Sequence, residues 1–101
     1  MLELDKNKFS PGKIFVTAGV KERIAGDEKF AKFIFNSIRR YLQCDWGDLV
    51  EEDKAFNEAA LNTEFPDRLF SAYEFNGKVD RIYIITEWDR SCTTILFPSE
   101  Y

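Results

Sequence analysis

The chain has no histidine, only two cysteines, three prolines and one methionine, and these shortages exclude whole classes of function. Without histidine, a serine or threonine nucleophile has only lysine or a carboxylate as its activating base. Zinc loses a common nitrogen ligand, and the isolated thiols Cys44 and Cys92 lack the spacing of a zinc site. No metal and no cofactor are therefore expected. Two cysteines are also too few for a disulfide framework. The opening Met1-Leu2-Glu3-Leu4-Asp5-Lys6 does not read as a secretory leader, so the thiols are expected to be reduced core filler in a cytoplasmic protein.

Long apolar runs are missing as well. Ile14-Phe15-Val16 and Ile82-Tyr83-Ile84-Ile85 fall far short of the roughly 20 residues that span a bilayer, so no membrane association is expected. Gly19 and Gly26 stand too far apart, without the flanking pattern, to make a phosphate-binding loop. There is no internal repeat and no low-complexity tract. Nor is there a basic surplus: 14 basic residues face 18 acidic ones, a net charge of −4. Direct nucleic-acid binding is therefore not expected.

What is present is aromatic mass. Ten Phe, four Tyr and two Trp, with 45% hydrophobic residues in 101, are enough to bury the core of one domain and to exclude global disorder. Charge is distributed unevenly. Met1 to Cys44 carries nine basic and five acidic residues, a net of +4, whereas Asp45 to Glu64 carries seven acids against Lys54 alone, a net of −6. Phe65 to Tyr101 has four basic and six acidic residues, a net of −2. The acidic block suits a partner with a basic surface.

Periodicity predicts an α+β domain. Lys13 to Ala18 reads as a strand entered through Ser10-Pro11-Gly12, and Val20 to Ala25 as one or two helical turns. Asp27 is placed to cap a helix in which Phe30, Phe33, Ile34, Ile38, Tyr41 and Leu42 recur at helical spacing. Asp48 with Glu51 resembles a capping box opening a second helix, about Leu49 to Leu61, with Ala55, Phe56, Ala59 and Ala60 inward. Leu69 to Phe75 and Lys78 to Trp88 flank Asn76-Gly77, a hairpin signal that sets Phe75 opposite Lys78 and Ser71 opposite Ile82. A tight connection at Asp89-Arg90-Ser91 leads to the strand Cys92 to Phe97. The expected fold is a C-terminal three-stranded antiparallel meander plus an N-terminal strand, packed on two helices. Both faces of the meander read as apolar and as at least partly covered.

Two clusters could carry chemistry. Asp45-Trp46-Gly47-Asp48 with Glu51-Glu52-Asp53 gathers carboxylates, but consecutive helical acids diverge and the spacing of a calcium loop is absent. Trp46 would anchor an interface if exposed beside those acids; buried against the sheet, it is core. The turn Glu87-Trp88-Asp89-Arg90-Ser91 with Thr93-Thr94 looks like an active-site loop. It reads equally as a structural turn in which Arg90 pairs with a carboxylate. Arg81, diagonal to Glu74, reads as a cross-strand ion pair. The candidate binding residues are Asp45, Trp46, Glu52, Asp53, Glu58, Glu87, Asp89 and Arg90.

Asp45-Trp46-Gly47-Asp48, Glu52-Asp53, Asn57, Arg68, Ser71-Ala72-Tyr73, Ile84-Ile85-Thr86-Glu87, Asp89-Arg90-Ser91, Thr93-Thr94, Pro98 and Glu100-Tyr101 together resemble a family of small bacterial proteins labelled plasmid-related. Its members are found near mobile elements. The resemblance covers Asp45 to Tyr101 and departs from the pattern at Trp88, where a smaller residue is expected. It carries no established activity and no catalytic role. It implies a plasmid or phage context, in which small acidic proteins often inhibit host defence nucleases as anti-CRISPR or anti-restriction proteins. Such inhibitors set carboxylates where phosphates would lie. The expected function is thus a non-catalytic binding protein of a mobile element, with a basic, nucleic-acid-binding nuclease as a candidate partner. A small hydrolase using carboxylates with Arg90 is the alternative. An accessory subunit or oligomer held by an edge strand such as Cys92 to Phe97 is another. The oligomeric state is left open.

Overall fold

The computed structural model describes residues 6–101. Its elements run β1 (Lys13–Val16), α1 (Ala18–Gly26), α2 (Glu28–Leu42), α3 (Glu51–Ala60), β2 (Leu69–Glu74), β3 (Arg81–Thr86) and β4 (Cys92–Leu96), ending in a short 3-10 turn at Pro98–Glu100. The expected α+β class and C-terminal antiparallel meander are present, and the short segment after Gly19 belongs to a full nine-residue helix, making three helices among the described residues. The sheet order is β1-β4-β3-β2, with β1 parallel to β4 and the other pairs antiparallel. β4 is therefore an inner strand. The expected edge at Cys92 to Phe97 is instead covered by β1, and the edges belong to β1 and β2.

Capping sets the helix starts. The Thr17 hydroxyl accepts from the Val20 N–H at the head of α1, and the Asp27 carboxylate accepts from the Phe30 N–H at the head of α2. Arg39 and Arg40 in the last turn of α2 complement its dipole. α3 differs from expectation. Its cap is Val50, with no side-chain hydrogen bond. Asp48 lies two residues too early to serve and bonds the Glu74 N–H at 2.9 Å instead. Three acids in the first turn supply the favourable dipole interaction in place of a cap.

The hairpin register also differs. Glu74 pairs with Arg81 and Ser71 with Ile84, two residues from the register that a two-residue Asn76-Gly77 turn dictates. The loop is longer because the Phe75 N–H bonds the Asp80 carbonyl and the Asp80 N–H bonds the Gly77 carbonyl, with Gly77 at φ +74°. Asp80 is held there by a bidentate pair with Arg23 at 2.6 and 2.7 Å. A shift of two keeps every side chain on its expected face. The cross-strand Glu74–Arg81 pair, at 2.9 Å, is directly opposed rather than diagonal.

One sheet face forms the core. Leu69, Tyr73, Ile82, Ile84 and Ile95 pack there against Val20, Phe30, Ile34, Tyr41, Trp46 and Ala60 from the helical side. Through this core runs a line of hydroxyls: Tyr41 to Thr86 at 2.7 Å, Thr86 to Thr93 at 2.6 Å, and Thr93 to the Pro11 carbonyl at 2.8 Å. The opposite face holds Phe70, Ala72, Tyr83, Ile85 and Leu96. The C-terminal turn and Tyr101 cover it in part, Tyr101 meeting Tyr83 edge-on at 6.2 Å.

Candidate functional site

The segment Asp45-Trp46-Gly47-Asp48 is a latch on the outer side of β2. Asp45 forms a bidentate pair with Arg40 at 2.8 and 3.1 Å and also accepts from the Gly47 N–H. Its carbonyl accepts from the Tyr73 hydroxyl at 2.6 Å. The Arg40 guanidinium beside it holds the Asp45 carboxyl below its ordinary range. Gly47, at φ +73°, forms a parallel bridge with Ala72. A Cβ at Gly47 would overlap the Ala72 carbonyl and the Tyr73 ring, so only glycine fits. The Asp48 N–H donates to the Ala72 carbonyl and the Ser71 hydroxyl to the Trp46 carbonyl.

Trp46 is 4% exposed and packs against Tyr41 and Phe9. It is core, which corrects the expectation of an interface anchor. Its indole N–H still needs an acceptor in that position, and Glu58 supplies it at 2.8 Å. Glu58 is thereby tied to the fold through one carboxylate oxygen.

Arg90 is likewise structural. It sits at φ +60° and donates to the carbonyls of Ala60 (2.8 Å), Asp67 (2.6 Å), Glu87 (3.2 Å) and Trp88 (3.1 Å). Among the described residues it pairs with no carboxylate, contrary to expectation. The Ala60 carbonyl at the end of α3 has no acceptor role within the helix, and Arg90, together with the Asp67 N–H at 3.3 Å, caps it. Asp89 closes the turn by accepting from the Ser91 N–H at 3.0 Å. Glu87 and Asp89 are exposed on the same turn.

α3 is rotated from its expected orientation. Asn57 and Ala60 are buried, while Phe56 is 75% exposed. The cause is a polar demand. Asn57 lies beside the edge strand, and its amide donates to the Phe70 carbonyl at 2.7 Å and accepts from the Phe70 N–H at 3.0 Å. The side chain thus pairs with β2 as another strand would. Each residue turns a helix by about 100°, so facing Asn57 inward sends Phe56 to solvent. Glu52 and Asp53, four and three residues earlier, share the face of Phe56, and all three are exposed. The only ion pair on α3 among the described residues is Lys54–Glu51 at 3.5 Å, with Glu51 90% exposed, a pair of little energetic weight.

Asp53 and Phe56 also line an open depression of about 360 Å³ with Asn57, Arg68, Phe70 and Tyr101. Arg68 donates to the Tyr101 hydroxyl and lies 5.6 Å from that ring's centre. The depression is lined by one carboxylate, one guanidinium and three aromatic rings. Of the eight candidates, Asp53 lines it and Glu52 is exposed on the same helix face as Phe56. Asp45, Trp46, Glu58 and Arg90 are absorbed by the fold, and Glu87 and Asp89 line neither this depression nor a second one beside Phe35. Phe56, Arg68 and Tyr101 are not among the eight. Arg68 and Tyr101 do occur in the family-like pattern, but nothing in their spacing brings them to α3.

Among the described residues, no three of Asp, Glu and Cys stand close enough to hold a metal ion, and no helix is long and apolar enough to cross a membrane. Comparisons with protein-family models, curated proteins and solved structures find no match to this chain.

Proposed function

We propose that the chain is a non-catalytic binding protein whose α3 face engages a basic surface on a protein partner. The observation that carries this reading is Phe56, 75% exposed, flanked on its own helix face by Glu52 and Asp53. An exposed aromatic beside carboxylates is well suited to an interface. The apolar ring supplies contact area, and the acids steer and orient a cationic partner. The elements of a carboxylate–arginine enzyme do not support the competing reading, because the Arg90 guanidinium is spent on backbone carbonyls. Within the mobile-element context of the family-like pattern, the partner is proposed to be a defence nuclease whose phosphate-binding channel accepts the carboxylates.

The test is affinity capture from bacterial lysate, with and without nuclease digestion, using the wild-type chain and a Glu51→Lys/Glu52→Lys/Asp53→Lys variant as bait. A captured protein that survives digestion, weakens with salt and is lost with the variant supports the reading. Capture that ignores both salt and charge reversal, or that disappears on digestion, refutes it.

A further inference from the structure

The two edges of the sheet are treated differently. β2 is sealed along its outer side by Asn57 at Phe70, by Asp48 and Gly47 at Ala72, and by the Asp48 carboxylate at Glu74. Among the described residues, β1 has no such cover. The N–H groups of Lys13 and Thr17 bond Ser91 and Ile95 of the β4 side, so by strand alternation the odd-numbered residues turn their peptide groups inward. The N–H and C=O groups of Ile14 and Val16 point outward. The side chains are open too, with Ile14 47%, Phe15 51% and Val16 37% exposed. β1 is short and begins at Lys13, but it has neither proline nor bulge, and its outward peptide groups with three exposed apolar side chains are a template for strand pairing.

We propose that β1 pairs antiparallel with β1 of a second copy of this chain, on a two-fold axis through Phe15. Two features on the page select a second copy as the occupant. The first is register. With the axis at Phe15, Ile14 faces Val16 of the other copy and Val16 faces Ile14. These are hydrogen-bonded pairs, and all four outward groups on each strand are satisfied. The two Phe15 rings then meet in the non-hydrogen-bonded pair, where side chains approach most closely.

The second is charge. In that register Lys13 faces Thr17 of the other copy. Thr17 donates to Glu100 at 2.7 Å, and Glu100 also accepts from Gly19 and Phe97. The Phe97 and Thr17 donors hold the Glu100 carboxyl below its ordinary range, so an anion is fixed beside each Thr17. Lys13, which pairs with no described acid, meets it across the axis. Symmetry makes the contact twice. The product is an eight-stranded sheet whose outer edges are the sealed β2 strands.

The experiment is sedimentation equilibrium on the full chain over a wide concentration range, with amide exchange read at Ile14 and Val16. The expected result is a dimer of twice the 11.8 kDa chain mass, with those two amides protected only as the dimer forms. Ile14→Pro removes an N–H that the monomer leaves unpaired, on an edge where proline is tolerated. Lys13→Glu repels Glu100 of the other copy. Each is expected to raise the dissociation constant about tenfold or more, the equivalent of one net hydrogen bond or ion pair, while leaving the monomer's spectrum unchanged. A wild-type chain that stays monomeric at millimolar concentration would overturn the proposal. So would a dimer that both folded variants leave intact, or one in which the Ile14 and Val16 amides exchange freely.

Discussion

A hydroxyl carries one proton, and that count orders the buried line from Tyr41 to Pro11. Thr93 must donate to the Pro11 carbonyl, which can only accept. Thr86 must then donate to Thr93, and Tyr41 to Thr86. Each member has one role, so the residues are not equivalent to mutation. Thr93→Val leaves Thr86 without its acceptor and Pro11 without its donor, and at about 1–3 kcal/mol for each buried group left unpaired is expected to cost at least about 2 kcal/mol. Tyr41→Phe removes only the terminal donor and is expected to cost about 1 kcal/mol. Urea denaturation of the two variants tests the order, and equal losses would contradict it. The alternating threonines were legible in the sequence as sheet residues. Their hydrogen bonding was not, since it depends on the β3–β4 register and on which helix residue lies above. The same holds for Trp46 and Arg90. Their side-chain chemistry was plain, but whether an indole or a guanidinium serves a partner or the fold depends on neighbours brought from elsewhere in the chain.

At the scale of elements, hydrophobic periodicity located α2, the strands and α3, and failed on which way α3 faces. Apolar spacing favours Phe56 inward. The fold chooses Asn57, because an open peptide group on β2 outweighs the gain from burying one more ring beside a sheet edge. Leaving the Phe70 N–H and C=O without partners costs about 1–3 kcal/mol for each group fully removed from water. Asn57→Leu is accordingly expected to lower stability by about 2 kcal/mol. Phe56→Ser, on the solvent face, is expected to change it by no more than about 0.5 kcal/mol. Thermal unfolding of the pair decides this, and a larger loss from Phe56→Ser would mean that the orientation of α3 has been misread. The hairpin slipped for a related reason: Asn76-Gly77 favours a two-residue turn, but the long-range Arg23–Asp80 pair fixes a longer loop.

For the molecule as a whole, titration should follow two sets of groups with opposite signs. Asp45 and Asp80 are held below the ordinary carboxylate range, chiefly by hydrogen bonds from Arg40 and Arg23. Below the unfolded carboxylate value of about 3.9 the unfolded state binds protons that the native state refuses, so stability is lost as pH falls through that region. Tyr41 and Tyr73 are raised by burial. Above the unfolded tyrosine value of about 10 the unfolded state loses protons that the native state keeps, and stability falls as pH rises. A plateau between these limits is expected in denaturation free energies measured against pH. Asp45→Asn with Asp80→Asn should flatten the acid limb, whereas Tyr41→Phe should soften the alkaline one. The −6 charge of Asp45 to Glu64 was visible from sequence, but the fold divides it. Asp45, Asp48 and Glu58 turn to structural work, which leaves Glu51, Glu52, Asp53 and Glu64, and of these Glu52 and Asp53 lie beside Phe56. A photo-reactive residue placed at position 56, with position 35 on the exposed face of α2 as control, tests most directly whether that remnant is the working surface. The expected result is a cross-link to the captured partner from position 56 and none from position 35. A partner that cross-links from position 35 alone, or is captured yet reached from neither, would contradict the assignment of α3 as the binding face.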